Sequence, residues 1–588
     1  MKRISIKKWV ALSLAASVMA SLTACGGNSD TATTSAAETV KTVNGETTAA
    51  SEAGEEKSFD KLDLITLYPN DANTSSGKVT GYKADILAKR GLEMEVWAFS
   101  NEKTNAILAS GELPDVMYVK YDQFVTMVEA GMVLNLDEYL DQLPHLTGNE
   151  EAARALNYTR DFKSAGTGQL YGIPINIGTT QDISRDTGRN AVKVNWDVYY
   201  DMGCPPVKTV DDLIPLMKDM MAHQPVAEDG TKTWGTILNS GSDDKYWGCM
   251  QLWFKWFGYE PENLEYLIES NMVDKTYTSI LEAGKDSLYY KGLKWYNTAM
   301  REGVMDPDSI NNERELGKSK VEGSYACMVP SGTLAGWAKY RPIYLEGQKL
   351  MQENWNKPYG SDTYVVVNAK TKNVDAALRA VDMLADYDFR FEVWNGPEGT
   401  LWEYDENGKV VPTEYGIETA INGEDVMFPN NEKRVQWLDN TIFSNYFAAT
   451  YIGPNGPRQA RGLNEWDEIR EILLNTEEEK QWREAFGYES FNELLKDKGA
   501  YTLTSEIFNV SNFCADPDDS QKLILDAIRT VVVDSSWKMV YAKDDAEFES
   551  YWNKMIEDCR QLDAETLISW RMDELNKAME IKKGLEQN

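Results

Sequence analysis

The segment Ala109-Ser110-Gly111-Glu112-Leu113-Pro114-Asp115-Val116-Met117-Tyr118-Val119 carries the end of a helix and the start of a strand. The helical pattern begins at Lys103, and Gly111 stands where a left-handed residue commonly closes a helix. Pro114 cannot continue that helix, and the apolar run from Val116 to Val119 predicts a buried strand. A helix therefore passes directly into a strand here, as it does in α/β proteins.

The same alternation extends along the chain on both sides of this segment. Strands are predicted at 62–67 and 93–97, and a helix at 123–130 is closed by Gly131. This order predicts a parallel sheet with helices on both faces. A capping box at Thr209 opens a core-facing helix, a strand at 363–368 precedes another helix, and the last stretch is mostly helical and charged.

Length and charge limit the classes of protein that this chain can represent. With 588 residues, it is too long for one hydrophobic core, so at least two lobes are expected. The net charge of −34 opposes nucleic acid and anionic lipid as partners. The 18 Trp and 30 Tyr residues serve either as core or as flat faces for sugar rings, and core is the commoner use.

The first residues form a tripartite targeting pattern. An apolar stretch from Trp9 to Ala20 follows a basic start, and Leu22-Thr23-Ala24-Cys25 ends it. These last residues resemble the lipobox of bacterial lipoproteins, which implies a signal peptide at 1–24 and lipid such as palmitate on Cys25. An uncleaved membrane helix is the alternative, but about twelve apolar residues are too few to span a bilayer. Residues 26–58 have almost no large apolar side chains, which predicts a disordered linker.

Catalytic motifs are missing from the sequence. Only His145 and His223 are present, and neither a Cys-x-x-Cys pair nor a Gly-x-Ser-x-Gly or Walker-type loop occurs. We therefore assign no catalytic residue, although a pair of carboxylates brought together in space would leave no trace in sequence. Beyond Cys25 the cysteines are well separated, so we expect most of them to be buried and reduced.

Three segments agree with one family. The Gly111–Val116 segment resembles the strand-opening motif of bacterial extracellular solute-binding proteins. Residues 130–136 and Gln169-Leu170-Tyr171-Gly172-Ile173-Pro174 resemble its next two motifs, and the order is matched from Phe59 to Asp388. The chain is most similar to the large lipoprotein members that serve carbohydrate-importing ABC transporters.

This resemblance implies an α/β, two-lobed, periplasmic-binding-protein-like fold of type II. Hinge strands near 171–176 and 361–368 would join the lobes, and extra helices would follow at the C-terminus. Lobe one would comprise 59–172 and about 362–400, and lobe two 173–361 and about 401–588. Closure of such lobes on a ligand would be driven by contacts on both faces of the cleft.

Candidate ligand contacts come from strand ends and from the resemblance. Tyr121 and Asp122 follow a strand at its carboxyl end, where α/β clefts form; Asp122 equally suits a cap for a helix beginning at Gln123. Trp337 resembles a family position at which an aromatic ring stacks on ligand, with a core role as the alternative. The remaining candidates are polar or aromatic residues near turns and the hinge: Asn176, Trp394, Glu398 and Trp402.

One stretch has the spacing of a calcium loop. Glu403, Asp405, Asn407 and Glu414 match EF-hand positions, but Asn407-Gly408 between two short β patterns predicts a hairpin more strongly. Large family members often carry a calcium loop after the helix that ends here near His223, and residues 224–230 depart from it. We expect no cofactor, and calcium only if the hairpin prediction fails.

The resemblance implies a function that the residues alone do not define. The chain is expected to be a monomer tethered at the extracellular face of a bacterial cell membrane. It would capture an oligosaccharide or sugar derivative and deliver it to an ABC permease. A receptor for a peptide or another solute is the first alternative, and a cell-surface glycan hydrolase is the second.

Overall fold

The computed structural model describes a large part of the chain after the amino-terminal segment. Its described residues are 59, 61–69, 76–178, 190–238, 248–260, 264–329, 339–352, 357–422, 427–428, 432–433, 455, 462–463, 466–503, 510 and 513–586. The predictions on the signal peptide, Cys25, the linker and Trp337 lie outside these residues. Among those described, no helix is both long and apolar enough to cross a membrane.

Strands and helices alternate through the first half, and helices dominate the end. The described strands are β1 (Asp63–Tyr68), β2 (Gly77–Lys78), β3 (Leu92–Val96), β4 (Val116–Lys120), β5 (Ile173–Pro174), β6 (Lys193–Asn195), β7 (Tyr259–Glu260), β8 (Ile268–Asn271), β9 (Thr276–Ser279), β10 (Met328–Val329), β11 (Tyr340–Pro342), β12 (Leu350–Gln352), β13 (Thr363–Val367), β14 (Trp402–Tyr404), β15 (Val410–Pro412), β16 (Met427–Phe428), β17 (Glu432–Lys433) and β18 (Tyr501–Leu503). The described α-helices are α1 (Tyr82–Ala88), α2 (Asn101–Ser110), α3 (Tyr121–Glu129), α4 (Pro144–Thr147), α5 (Glu150–Phe162), α6 (Trp196–Asp201), α7 (Leu213–His223), α8 (Gly248–Trp256), α9 (Ile280–Ala283), α10 (Leu288–Arg301), α11 (Arg314–Glu322), α12 (Val374–Asp382), α13 (Tyr387–Asn395), α14 (Glu414–Asn422), α15 (Asp467–Leu473), α16 (Glu477–Phe486), α17 (Phe491–Lys498), α18 (Asp519–Val540), α19 (Asp545–Gln561) and α20 (Ala564–Glu586).

The helix-to-strand transition lies where the sequence predicts it. Gly111 closes α2 at φ 70°, in the left-handed region, and β4 begins at Val116. The capping box at Thr209 is also confirmed: its backbone N–H donates to a carboxylate oxygen of Asp212 at 2.9 Å. Local signals of this kind need no tertiary context, which is why they are legible in the sequence.

A six-stranded sheet forms the centre of lobe one, in the order β2-β3-β1-β4-β13-β5. Strand β1 pairs in parallel with β3 and β4, as predicted. The prediction of a parallel sheet is wrong for β13, which runs antiparallel to β4. Strand β13 follows the whole of lobe two in sequence, so no short crossover helix fixes its direction as one does within a βαβ unit.

Asp115 fastens the opening of β4 to its neighbours. One carboxylate oxygen accepts the Thr66 backbone N–H at 2.7 Å and the Thr66 hydroxyl at 2.8 Å, and the Thr371 hydroxyl donates to the other. The Asp115 carbonyl accepts the Asn368 backbone N–H at 3.0 Å. The Pro-Asp pair of the sequence motif thus ties β1, β4 and the end of β13 together.

Each face of this sheet is covered by a separate apolar core. Val365 and Val367 of β13 point to the core that also holds α4, α5 and α12. Tyr364 and Val366 point to the opposite core, with residues of α2 and α3. The position of β13 between two helix layers explains why 363–367 is buried throughout and apolar from Tyr364 onward.

Lobe two is built on a third, larger core. It combines the helices α7, α8 and α10 with the C-terminal helices α18, α19 and α20, and the β6 and β8 strands contribute to it. Trp253 and Trp256 lie in it at 3% and 0% exposure, in agreement with the commoner use of Trp as core. Cys204, Cys327, Cys514 and Cys559 are free thiols, and the last three are buried.

The predicted boundary between the lobes at residue 400 does not agree with the hydrophobic core to which the following residues belong. Leu401, Trp402 and Val410 belong to the lobe-one core, and so do Leu463, Trp466 and Ile469. The cause is the anchoring of Trp402: its indole N–H donates to the Gly396 carbonyl at 2.9 Å and its ring meets Phe391 edge-on at 5.0 Å. Lobe one therefore continues beyond 400, and the chain packs on lobe two again from α16 onward.

Two extended segments connect the lobes and lie side by side, as expected for hinge strands. Strand β5 pairs with β13 through Ile173 and Pro174, and the Ser361 N–H donates to the Ile175 carbonyl at 2.8 Å. Gly360, at φ 78°, is required here, because a Cβ would lie 2.5 Å from that of Pro174.

His145 is structural, as the sequence indicates. Its Nδ1 lies 2.7 Å from Asp382 Oδ2, while the other carboxylate oxygen accepts the backbone N–H groups of His145 and Leu146. The hydrogen bond to Asp382 raises the pKa of His145 above its usual value; burial and Arg90 oppose this, and Asp386 adds to it. Asp382 is buried, so this pair joins α4 to α12 inside lobe one.

The His145 pair makes part of the stability depend on pH. A raised pKa in the folded state means that its contribution is complete below the ordinary value of about 6.5 and declines as pH rises through the folded value. We expect His145→Gln to cost about 1 kcal/mol at pH 5.5, after allowance for the half-exposed ring, and less at pH 9. Urea unfolding across that range measures it.

The control for this experiment is the other histidine. His223 is exposed at the end of α7, so His223→Gln should cost less stability at pH 5.5 than His145→Gln does. Identical pH profiles for the two variants would contradict the role of the His145 pair.

Candidate functional site

Several chain segments end or begin at one edge of the lobe-one sheet. Lys120 at the end of β4 lies opposite Thr363 at the start of β13, and Lys120 Nζ lies 3.1 Å from the Thr363 hydroxyl. Strand β5 also points its carboxyl end to this edge, since it too runs antiparallel to β13. Three parts of the chain therefore meet here: the first residue of α3, the hinge segment that leads into β13, and the hinge segment that begins with β5.

Tyr121 lies at the centre of this edge. Its ring has Lys163 Nζ over one face, 4.3 Å from the centroid, and packs at an angle on Tyr364 at 5.9 Å. Burial raises the pKa of Tyr121, and the charges of Asp516 and Asp362 raise it further. A phenol flanked by a cation and carboxylates can exchange hydrogen bonds with a polyhydroxyl ligand.

A cluster of four aromatic rings borders Tyr121. Tyr158 and Phe162 come from α5, Tyr359 from the hinge segment, and Phe513 from the segment before α18. The centroid distances from Tyr158 are 4.7 Å to Tyr359, 5.2 Å to Phe162 and 5.2 Å to Phe513. Burial is the main reason for the raised pKa of Tyr158, and the negative charge of Asp362 adds to it. We define these four rings as the aromatic cluster.

Asp362 and Asp516 supply negative charge beside the rings. Both are exposed, which leaves their oxygens open to an incoming ligand. Nearby protein atoms displace part of the water around the Asp516 carboxyl group and so raise its pKa; Lys163 opposes that shift, while Asp362 and Asp122 add to it. Carboxylates from three separate chain segments thus influence one another at this edge.

A line of alternating charges runs from the hinge into lobe two. Burial lowers the pKa of Lys357, and the carboxylates of Asp362 and Glu260 oppose that shift. Burial raises the pKa of Glu260 to about 7, against the influence of Arg571 and Lys357. The charges around the hinge are therefore of both signs, so the edge has no strong preference for an anion or a cation.

Tyr121 and Asp122 are brought to this edge as predicted. The alternative that Asp122 caps the following helix is wrong: α3 already begins at Tyr121, and the Lys120 N–H is satisfied by the Gln123 side-chain oxygen at 3.1 Å. Asn176 lies at the hinge with a left-handed φ of 56°, and its carbonyl accepts the Lys357 N–H at 2.8 Å. This backbone hydrogen bond joins the two hinge segments at Asn176.

The candidates Trp394, Glu398 and Trp402 lie away from this edge. Trp394 is half-buried at the end of α13, Glu398 is exposed on the next turn, and Trp402 is 5% exposed within the core. Their neighbours Phe391 and Val393 belong to the core on the other face of the sheet from Tyr121. Since Trp402 has its ring against Phe391, it offers no open face for a sugar.

The stretch with EF-hand spacing forms the hairpin favoured by the sequence. Strands β14 and β15 pair antiparallel, and Asp405 accepts the backbone N–H groups of Asn407 and Lys409, each at 2.8 Å. Those bonds, with the Lys409 bond foremost, lower the pKa of Asp405. Within the described part of the chain, no group of three or more His, Cys, Asp or Glu side chains is arranged to hold a metal ion.

Sequence reasoning missed most of the residues that gather at this edge. They are Tyr158, Lys163, Lys357, Tyr359, Asp362, Phe513 and Asp516. Asp362 and Tyr359 could have been found, because they immediately precede the predicted hinge strand and must lie at the same edge as Tyr121. The aromatic cluster left no local signal, since its rings come from segments far apart in the sequence.

Comparison with known proteins agrees with this architecture. A solute-binding protein from Bifidobacterium longum infantis, described as HMO binding and ABC-transporter associated, superposes with a TM-score of 0.56 at 15% identity, over 87% of this chain and 99% of that one. The kestose complex of FusA, an ABC-transporter substrate-binding protein of S. pneumoniae, gives 0.54 at 12% identity, over 89% and 100%. The alginate-binding protein AlgQ2 without calcium ion gives 0.54 at 13% identity, over 89% and 99%.

These likenesses establish the fold: the chain has the α/β architecture of the two-lobed solute-binding proteins, as the sequence predicted. At the sequence level, Lipoprotein LipO of Bacillus subtilis (strain 168) is 23% identical over 244 residues. That match spans 40% of this chain and 42% of the relative, less than half of either. No protein-family model matches the chain.

The Asp405 hairpin leads to a prediction about calcium. Because its carboxylate is already bonded to the backbone of its own turn, calcium should change the melting temperature by less than about 1 °C relative to EDTA. Differential scanning fluorimetry in the two buffers measures this. A calcium-dependent rise that is absent in Asp405→Asn would contradict the assignment of this stretch as a metal-free hairpin.

Proposed function

We propose that this protein is an extracellular solute-binding protein that captures an oligosaccharide or sugar derivative between its lobes. The observation that carries the proposal is the meeting of aromatic rings with charges of both signs at the hinge edge of lobe one. An aromatic face suits the apolar side of a sugar ring, and charged groups form the stronger hydrogen bonds to hydroxyls, each about 1.5–3 kcal/mol. A neutral glycan can form ring contacts with the aromatic faces and hydrogen bonds with the charged groups.

Tyr121 and Asp362 would make the central contacts. Tyr121 carries Lys163 Nζ over its ring, and Asp362 is exposed. Burial raises the pKa values of Tyr158 and Tyr364, and the negative charge of Asp362 adds to both shifts. Micromolar affinity corresponds to about 8 kcal/mol, so stacking and several hydrogen bonds are needed together. A site at the hinge would supply stacking and hydrogen bonds from both lobes as the lobes close.

Delivery to a membrane permease completes the proposed role. The chain would be tethered through lipid at Cys25 to the extracellular face of the cell membrane, as a monomer, and would pass its ligand to ABC permease subunits. The curated relative is named a lipoprotein, which supports the tether. The net charge of −34 makes nucleic acid an unfavourable partner.

We propose binding without chemistry and without a cofactor. The ligand would be released unchanged, because its capture needs only hydrogen bonds and ring contacts. Incubation of glycans with catalytic amounts of the protein tests this: product formation would make it a hydrolase.

A thermal-shift screen against a glycan panel tests the proposed ligand class. A glycan at one hundred times its dissociation constant should stabilise the fold by about 2.7 kcal/mol. For that glycan, Tyr121→Ala and Asp362→Asn should each weaken binding at least about tenfold, or 1.4 kcal/mol, in titration calorimetry.

Matched controls lie away from the hinge edge. Asp375 is an exposed aspartate at the start of α12, beyond the other end of β13, and Tyr404 is an exposed tyrosine of β14. Asp375→Asn and Tyr404→Ala should bind as the parent does. Loss of affinity in these controls but not in Tyr121→Ala and Asp362→Asn would place the site elsewhere, and stabilisation by peptides alone would favour the alternative receptor.

The proposed tether has its own test. Cys25→Ala removes the thiol that would carry lipid, so the variant should appear in the soluble fraction after cell fractionation, whereas the parent remains with membranes. A serine variant at the same position controls for volume. Firm membrane association of both variants would require another anchor.

A further inference from the structure

Phe513 belongs to a segment that is fixed to lobe two. Val510 and Cys514 on either side of it are buried against Leu575 and Ala578 of α20, and the Ala515 N–H donates to Glu574 Oε2 at 2.9 Å. Helix α20 in turn packs against α18 and α19 in the lobe-two core. The backbone around Phe513 therefore moves with lobe two.

The ring of Phe513 nevertheless contacts lobe one and the hinge. It meets Tyr158 edge-on at 5.2 Å and Phe162 at 5.9 Å, both on α5 of lobe one. It also meets Tyr359 of the hinge segment edge-on at 5.8 Å. All three are T-shaped contacts, the geometry that the quadrupoles of aromatic rings favour.

A charge contact lies beside these rings. Asp516 lies three residues beyond Phe513, and Lys163 is the residue after α5; burial raises the pKa of Asp516, and the positive charge of Lys163 opposes that shift. The end of α5 and the start of the C-terminal helices thus face each other through rings and through opposite charges.

We propose that Phe513 is a latch between the lobes, and that its insertion among Tyr158, Phe162 and Tyr359 sets how far the lobes open without ligand. A single ring makes all three contacts across the lobe interface, so its removal should weaken that interface while each lobe keeps its own core. The latch acts on an equilibrium between lobe arrangements that exists before any ligand binds.

The latch predicts faster exchange of hinge amides when Phe513 is truncated. The N–H groups of Gly178, Lys357 and Ser361 bond across the two hinge segments. In hydrogen–deuterium exchange of the full chain without ligand, Phe513→Ala should speed exchange in peptides covering 173–178 and 357–363 at least about tenfold. Phe513→Tyr should restore the slow rate, because it keeps the ring. Small-angle scattering should show a larger radius of gyration for Phe513→Ala.

The matched control removes a ring from within a single lobe. Phe486 is half-buried and packs on Trp482 at 5.0 Å inside the lobe-two core. Phe486→Ala should lower the overall unfolding midpoint and leave hinge exchange unchanged.

A second variant removes a ring of the latch on the side of lobe one. Phe162 is 43% exposed, so Phe162→Ala should fold and also speed hinge exchange, and in the double variant the effects should not add. Unchanged hinge exchange in Phe513→Ala and Phe162→Ala, or equal acceleration in Phe486→Ala, would overturn the latch. Because no ligand is used, the outcome is independent of whether the protein binds glycans.

Discussion

The pairing of the two hinge segments is the constraint on which the rest of the structure depends. Segments 173–178 and 357–365 hydrogen-bond side by side, and they lead the chain out of lobe one and back into it. Gly360 permits the close approach, because no side chain would fit against Pro174. Since β13 must return from lobe two, it enters the sheet antiparallel to β4, and its first residues arrive beside the end of β4.

That arrangement determines where functional side chains from distant parts of the sequence come together. Tyr121 follows β4, Asp362 precedes β13, and Lys357 lies in the hinge itself, so groups distant in sequence converge without any of them being close to a recognisable motif. At the opposite edge, Asp115 holds β1, β4 and the end of β13 together. One edge of the sheet is thus occupied by structural hydrogen bonds, and the other presents rings and charges of both signs.

The sequence predicted the elements whose signals are local. Gly111 as a helix end, the Thr209 capping box, the buried strand at 363–367 and the Asn407-Gly408 hairpin all depend on neighbours a few residues away. Tyr121 was predicted for a similar reason, since a strand and a helix adjoin it directly.

Contacts between segments that are far apart in the sequence cannot be predicted from such local signals. The aromatic cluster joins rings from α5, the hinge and the segment before α18, and no periodicity links Tyr158 to Phe513. Trp402 was misjudged because a Trp near a Gly-Pro turn resembles a ligand platform, whereas a hydrogen bond to the Gly396 carbonyl and the ring of Phe391 hold it in the core. The antiparallel direction of β13 likewise depends on the path of the intervening lobe.

A glycan held at the proposed hinge-edge site would contact both lobes. Hydrogen–deuterium exchange with and without a stabilising glycan measures whether it does. We expect new protection in peptides covering 120–123, 357–363 and 513–518, from both lobes at once. Protection confined to one lobe, or centred on the 394–404 surface, would contradict it.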